Sequence, residues 1–402
     1  MSAALLWYKH NAMPQERLAL FPVSIAIVDD QLSLQGHRLQ NLAEEYGTPL
    51  YVYDAATIEH RLRRYLEALK QHYPGLSSIT YAGKAYLAPP LINLLASYGI
   101  WIDCSSGGEI LVTRKASPTV PLLLHGVNKS PFDLDLALRH AQVIVIDNLS
   151  ELRRLVQKHA AGESLPSLWL RFQPGISAHT HAHIQTGHQT SKFGMPAEEI
   201  LEAGRLAKHH GLVIEGLHFH LGSQLREVAP LQAAIEQALD LAGAIPRPEE
   251  WHFSPGGGWG VPYHEADLPW PSIEEYVSAI AQQIAKGVKI RHLPFPHLHL
   301  EPGRSLIAPA GIAIYRVGTI KRRLERTWLL VDGGLADNPR PALYGARYTA
   351  LPVQSPLRPW EERVWIGGPY CESGDLLIED LPFPRLEEGE YIAIPVSGAY
   401  QL

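Results

Sequence analysis

Eight short apolar segments, at 79–84, 100–105, 122–125, 143–147, 168–172, 213–220, 251–255 and 297–301, alternate with helical patterns. The helical patterns cover 88–98, 107–116, 131–140, 149–160, 196–210, 229–243 and 272–286, and a further stretch from Thr57 to His72 precedes them all. In that leading stretch Leu62, Leu66 and Leu69 share one helical face. Such alternation implies parallel strands, because each helix carries the chain back to where the next strand begins. Several helices open on residues that suit a first turn or a cap: Pro89-Pro90, Pro131, Asn148 and Ser272. An open, doubly wound sheet would place its phosphate loop after the first strand. Here Gly256-Gly257-Gly258 follows the seventh, where closed barrels often hold phosphate. The expected fold is therefore an α/β barrel, a TIM-like (β/α)8.

Beyond Ser305 the texture changes to short β-rich runs, Ile312–Val317, Trp328–Val331, Val364–Ile366 and Tyr391–Val396, broken by glycine and proline. The proline-rich stretch 339–359 reads as an ordered loop. The expected organisation is an N-terminal segment 1–48 that packs with the β domain, a barrel over 49–304, and a β domain over 305–402. A chain of 402 residues is long for one core and suits two. Its 46% hydrophobic and 19% charged residues are those of a folded globular protein, and a net charge of −6 argues against nucleic-acid or membrane-surface partners. Two cysteines, Cys104 and Cys371, cannot make a disulfide framework, which suits a reducing compartment. No apolar run approaches the ~18 residues of a membrane span, and Ala3–Trp7 is too short for a signal sequence. A cytoplasmic protein is expected.

A parallel barrel gathers its strand C-termini on one face, so Lys84 after the first strand and Glu301 after the last should be neighbours. A desolvated lysine amine can attack an aldehyde and form a Schiff base. A carboxylate against a pyridine nitrogen favours its protonated, electron-withdrawing form. His220 can stack on a flat ring, Ser223 offers a hydroxyl, and Arg304 offers a planar fork for phosphate or carboxylate. The three glycines permit close backbone approach, with free N–H groups forming an anion nest. Taken singly, each has an ordinary explanation as a surface lysine, a core histidine, a turn or an ion pair. Together they suit a phosphorylated aromatic cofactor bearing an aldehyde. In the β domain, Cys371 in Cys371-Glu372-Ser373-Gly374-Asp375 reads either as an inert thiol or as a proton donor. His179, His181, His183 and His188 crowd one loop but lack a familiar ligand spacing, and no metal is expected.

Nine segments carry a resemblance: YAGKA (81–85), SSGGEI (105–110), HGVNKS (125–130), HIQTGHQTSKFG (183–194), GLHFHLGSQ (216–224), GGGWGVPY (256–263), EPGRS (301–305), DNPRPALYGA (337–346) and GPYCESGDLL (368–377). With them the chain resembles the diaminopimelate decarboxylase family, in the alanine racemase-like group of pyridoxal-phosphate enzymes, over nearly its whole length. The resemblance implies a TIM-like barrel plus a C-terminal β domain, with pyridoxal 5'-phosphate bound covalently through Lys84. It places His220 on the cofactor ring and Glu301 at the ring nitrogen. Ser223, Gly256, Gly257, Gly258, Arg304 and Tyr400 fall around the phosphate, and Pro302 and Gly303 also fall to the cofactor. Arg304, Arg340, Tyr344, Glu372 and Tyr400 fall to the substrate. Cys371 matches the proton donor, which arrives from the second subunit of a head-to-tail homodimer. The implied reaction is decarboxylation of meso-2,6-diaminopimelate to L-lysine, the last step of lysine biosynthesis. Ornithine/lysine, carboxynorspermidine or carrier-bound amino acids are the alternative substrates, and a non-catalytic cofactor-binding homologue is the alternative of another class. Two departures stand out: the chain stops at Leu402, where relatives usually run on, and Arg347-Tyr348 replaces an aromatic followed by histidine.

Overall fold

The structure, a computed structural model, describes residues 14–176, 191–324 and 326–401. It packs as two compact units. One comprises Leu62–Gly260 and Pro271–Ser305; the other comprises the described residues up to Arg61, Val261–Trp270 and those from Leu306 onward. In chain order the strands are β1 (Ile25–Val28), β2 (Gln31–Leu34), β3 (His37–Arg38) and β4 (Leu50–Tyr53). There follow β5 (Ser77–Ala82), β6 (Trp101–Cys104), β7 (Leu122–His125), β8 (Val143–Ile146), β9 (Ser167–Arg171), β10 (Ile214–His218), β11 (His252–Ser254) and β12 (His297–Leu300). The last six are β13 (Gly311–Arg323), β14 (Arg326–Val331), β15 (Leu351–Pro352), β16 (Glu362–Gly367), β17 (Leu376–Phe383) and β18 (Tyr391–Ile394).

Strands β5 to β12 form a closed parallel barrel in sequence order, and β12 returns to β5 with Leu298 opposite Ser77 and Leu300 opposite Ile79. The expected α/β barrel is thus present. Its helices start where their caps dictate. The Ser130 hydroxyl accepts from the Asp133 N–H and the Ser272 hydroxyl from the Glu275 N–H, each answered by the acidic side chain in a capping box. Asn148 caps its helix through the Glu151 N–H. Helix Ile273–Ile290 runs past the expected end at 286.

Because both strand faces are buried, one residue parity packs outward against the helices and the other fills the interior. Leu123, Val143, Val145 and Trp169 form an interior cluster, with Trp101 packed against it. Trp169 also explains Gly216: a Cβ there would lie 2.5 Å from the indole Cγ. Nearer the strand N-termini the interior holds His252, His297 and His299. His252 Nδ1 lies 3.1 Å from His299 Nε2, and His297 Nε2 lies 2.8 Å from the Ser78 hydroxyl. Burial, then mutual repulsion, holds His299 well below the usual imidazole value and brings His297 down to about 4. Burial lowers His252 as well, so these imidazoles are neutral at pH 7. Nearer the C-termini the interior becomes charged.

In the second unit, β13 pairs antiparallel with β14, β18 and β4, β15 joins β18, and β16 and β17 extend the other side. A core of Phe21, Leu32, Leu34, Leu39, Ile312, Ile314, Leu351, Val353 and Ala393 ties β1–β3 and their neighbours to this sheet. The buried Arg17 donates to Glu265 at 2.8 Å and lies 4.0 Å over the Trp360 ring. The observed units differ from boundaries at 49 and 305. Leu50–Tyr53 is a strand of the second sheet through pairing with β13, and Val261–Trp270 joins the second unit, where Glu265 meets Arg17. Within 339–359 lies a short helix, Arg340–Tyr344. No helix among the described residues is long and apolar enough to cross a membrane.

Candidate active site

The barrel-unit candidates gather where β5, β10, β11 and β12 end. The Ala82 N–H donates to the Pro302 carbonyl at 3.2 Å, tying the turn that carries Lys84 to the segment that carries Glu301. Lys84 sits exposed in the Gly83–Ala85 turn. Its charge is felt by Glu301, Asp103, His125 and His220, so the lysine and the glutamate share one neighbourhood.

Glu301 is buried, and its carboxylate accepts from His218 Nε2 at 3.0 Å and from the Ser254 hydroxyl at 2.6 Å. Burial alone would push this carboxyl up; attraction to His218 and the two hydrogen bonds outweigh it and leave the group below its usual value. The neighbouring Asp103 goes the other way. Burial, then repulsion from Glu301, raises it well above its usual value. Of the two neighbouring carboxyls, Glu301 is therefore the one that ionises more readily. Burial keeps His125 and His220 far below the usual imidazole value, with further contributions from His218 at His125 and from Lys84 at His220. The His125 and His218 rings stand edge to face at 4.4 Å. His125, His218 and Glu301 also offer ligand atoms within 4.8 Å of one another. Here, however, the glutamate is already occupied by the histidine and the serine.

The glycine loop is shaped by what surrounds it. A Cβ on Gly257 would lie 1.9 Å from the Glu301 carbonyl oxygen, and one on Gly258 would lie 2.0 Å from that of Gly222. Gly256 and Gly258 adopt φ of 73° and 95°, the left-handed region that favours glycine. The expectation of three free N–H groups is corrected. The Gly256 N–H donates to the Ser254 hydroxyl at 3.1 Å and the Gly257 N–H to His220 Nδ1 at 3.3 Å. Two of the three therefore position side chains rather than an anion. Arg304 is buried and donates to the Ser223 hydroxyl from Nε at 3.1 Å and from Nη2 at 2.9 Å, setting a cation and a hydroxyl together.

Five candidates belong to the second unit. Cys371 is exposed. Its loop is built around the buried Asp375, whose carboxylate accepts from the Leu335 N–H at 2.6 Å and the Tyr370 N–H at 2.8 Å. Glu372 accepts from the Gly374 N–H at 3.2 Å. Arg340 is buried, donates to the Tyr348 hydroxyl and lies 4.1 Å over the Tyr263 ring. Burial would lower this guanidinium, but Tyr263, Tyr348 and Tyr400 outweigh it and raise it. Gln401 donates to the same Tyr348 hydroxyl at 2.7 Å, which gives the Arg347-Tyr348 departure a local role. Tyr344 ends the short helix, and Tyr400 adopts a φ of 59°. The loop histidines 179, 181, 183 and 188 lie outside the described residues.

Residues 55–308 match the family model described as pyridoxal-dependent decarboxylase, pyridoxal binding domain. The chain is 35% identical to the diaminopimelate decarboxylase of Synechocystis sp., covering 98% of this chain and 86% of the relative. The chain belongs to the diaminopimelate decarboxylase family. To the Bacillus subtilis member it is 37% identical, over 89% of this chain and 83% of the relative. The Helicobacter pylori member, solved in complex with L-lysine, superposes with a TM-score of 0.81 at 31% identity, covering 90% of this chain and 89% of that one.

The cofactor of this family is pyridoxal 5'-phosphate, and the residues present fit it. The glycine loop leaves no room for side chains, Arg304 and Ser223 supply a cation and a hydroxyl beside it, and Glu301 is ionised. Asp103 Oδ1, His125 Nε2 and His218 Nδ1 are buried without hydrogen-bond partners among the described residues, so polar valence remains in this layer. The sequence reading missed Asp103, His125, His218 and Ser254. Strand parity was the available signal, since His218 and Ser254 share with Glu301 the inward face.

Proposed function

We propose that this protein removes CO2 from the D-configured centre of meso-2,6-diaminopimelate, giving L-lysine. The observation that carries the proposal is an exposed lysine whose charge reaches a buried, ionised glutamate where the first and last barrel strands end, in a chain of this family. Pyridoxal 5'-phosphate supplies, when bound, an aldehyde that condenses with amines and a ring that accepts the electron pair left by departing CO2. Lys84 offers the amine that anchors it. Glu301, kept ionised by His218 and Ser254, holds a proton at the ring nitrogen, while burial and repulsion from Glu301 make the neighbouring Asp103 harder to ionise. His220, with Nδ1 fixed by the Gly257 N–H, presents its ring, Arg304 with Ser223 takes the phosphate, and Gly256–Gly258, Pro302 and Gly303 leave room for the cofactor beside them. Tyr400 joins them at the phosphate and at the substrate.

Specificity rests on the far end of the substrate, which bears both an amine and a carboxylate. Glu372 pairs with the amine, Arg304 and Arg340 take the carboxylate, and Tyr344 flanks them. Cys371 delivers the proton to Cα, and its exposed loop suits delivery into the site of a second subunit in a head-to-tail homodimer. The reducing cytoplasm suits both the free thiol and lysine biosynthesis. The L-lysine bound to the H. pylori relative supports the product assignment.

The test is CO2 release from meso-diaminopimelate by wild type and by Lys84→Ala. Wild type is expected to turn over and the variant to lose both activity and a borohydride-reducible cofactor adduct. A silent wild type, or an undiminished variant, overturns the proposal. Arg340→Ala should lower kcat/KM for diaminopimelate by about 10-fold or more, the equivalent of one lost charge-assisted hydrogen bond of ~1.5–3 kcal/mol. An unchanged value would count against the substrate. Higher turnover of ornithine or carboxynorspermidine would assign the alternative.

A further inference from the structure

We propose that His252, His297 and His299 form a binding site for a borderline divalent transition ion, of the Zn²⁺ or Co²⁺ type, at the N-terminal end of the barrel interior. Their ligand nitrogens already lie within 4.8 Å of one another. His252 Nδ1 and His299 Nε2 are 3.1 Å apart. Two nitrogens bound tetrahedrally to zinc at about 2.0–2.1 Å stand roughly 3.3 Å apart, so this pair needs to open only slightly. His297, half-buried beside them, supplies the third nitrogen of the set.

The rings are held as metal-binding imidazoles are usually held. Trp169 stacks on His252 at 5.1 Å, and Trp101 meets His299 edge-on at 5.3 Å. The Thr80 hydroxyl lies 3.4 Å from His299 Nδ1 and Ser78 lies 2.8 Å from His297 Nε2, giving two of the imidazoles an outer hydrogen-bond partner that orients the ring. Each neutral imidazole retains its proton on the nitrogen that does not bind, so ligation requires a tautomer shift and releases none. The Glu215 carboxylate acts on His252 with the sign that favours a nearby cation. Barrel interiors are ordinarily filled by branched aliphatic layers, as Leu123, Val143 and Val145 do here on other strands. Three histidines in that position, on β11 and β12, leave three nitrogen donors converging where His252 and His297 are only half-buried and an ion can enter. The site is distinct from the Lys84–Glu301 centre, which lies at the opposite strand ends, and stands independently of the proposed reaction.

The experiment uses cofactor-loaded protein, stripped with a chelator and dialysed against Zn²⁺ or Co²⁺. One ion per chain is expected, with affinity at least tenfold weaker in His252→Ala and in His297→Ala. Binding that is absent in wild type, or unchanged in both variants, overturns the site. Melting and cofactor absorbance are read alongside. If a variant fails to fold, the wild-type cobalt spectrum decides. Visible d–d bands without thiolate charge transfer support three-nitrogen ligation, whereas charge transfer places the ion on a cysteine and refutes it.

Discussion

Replacing Gly257 by alanine tests whether the glycine loop and Glu301 are one mechanical unit. The new Cβ would lie 1.9 Å from the Glu301 carbonyl oxygen and 2.7 Å from its carbonyl carbon. An ordinary C···O separation is about 3.3 Å, so the two backbones must part by more than 1 Å. Neither is a flexible side chain that can swing aside. The Glu301 N–H is bonded to the Gly256 carbonyl at 3.0 Å, and the Gly257 N–H orients His220 at 3.3 Å, so the displacement disturbs both ends of the cofactor site. Overpacking of this kind costs about 1–3 kcal/mol of stability. Loss of one charge-assisted hydrogen bond to the cofactor adds about 1.5–3 kcal/mol, or roughly 10- to 150-fold in its affinity. The assay is titration of apoprotein with pyridoxal 5'-phosphate, read by absorbance, with thermal melting in parallel. Gly243→Ala is the control: nothing lies within 4 Å of its Cβ, and in the helix Ala229–Ala244 it should stabilise by ~0.5–1 kcal/mol. Cofactor affinity in Gly257→Ala within threefold of wild type would refute the reasoning.

Ser254→Ala removes the 2.6 Å hydrogen bond to Glu301. That carboxyl is depressed in the folded protein, so its contribution is present above the unfolded carboxyl value and lost as pH falls through the folded one. The acid limb of kcat should therefore move up by about one unit or more, and an unmoved limb would count against it. Arg304→Lys abolishes the two-nitrogen grip on Ser223 while keeping the charge; weaker cofactor binding with unchanged melting is expected. Arg17→Ala strands the buried Glu265 and should cost ~3–5 kcal/mol in denaturant unfolding, part of it recovered on adding Glu265→Gln.

The barrel was legible because its strands are buried on both faces and its helices carry one apolar stripe, so period and length suffice. Lys84 and Glu301 were legible because closure makes neighbours of the first and last strand ends. What escaped were facts that need a partner far away in the chain. Leu50–Tyr53 looks like the barrel's leading edge, yet its hydrogen bonds go to Gly311–Ile314. β17 was missed because Glu379, Asp380 and Pro382 interrupt its pattern, which is tolerable at the end of a sheet. The glycine N–H groups looked free because the acceptors, Ser254 and His220, could not be assigned to them from the sequence.

Strand parity decides the chemistry of the interior. Along β12 and just past it the residues 297, 299 and 301 all face inward, so one stretch of chain contributes two histidines to the N-terminal end and the carboxylate that follows the strand. Level with those histidines the barrel places Leu123, Val143, Val145 and Trp169 on the opposing strands, with Trp169 stacked on His252. Apolar packing of this kind strengthens the charge interactions next to it by excluding water, at the histidines and at the Glu301 layer that follows. A polar substitution there, such as Val145→Asn, should therefore raise Glu301 less than Ser254→Ala does but perturb both ends at once. A pH–activity shift without any change in zinc affinity would show that this packing does not act on both ends.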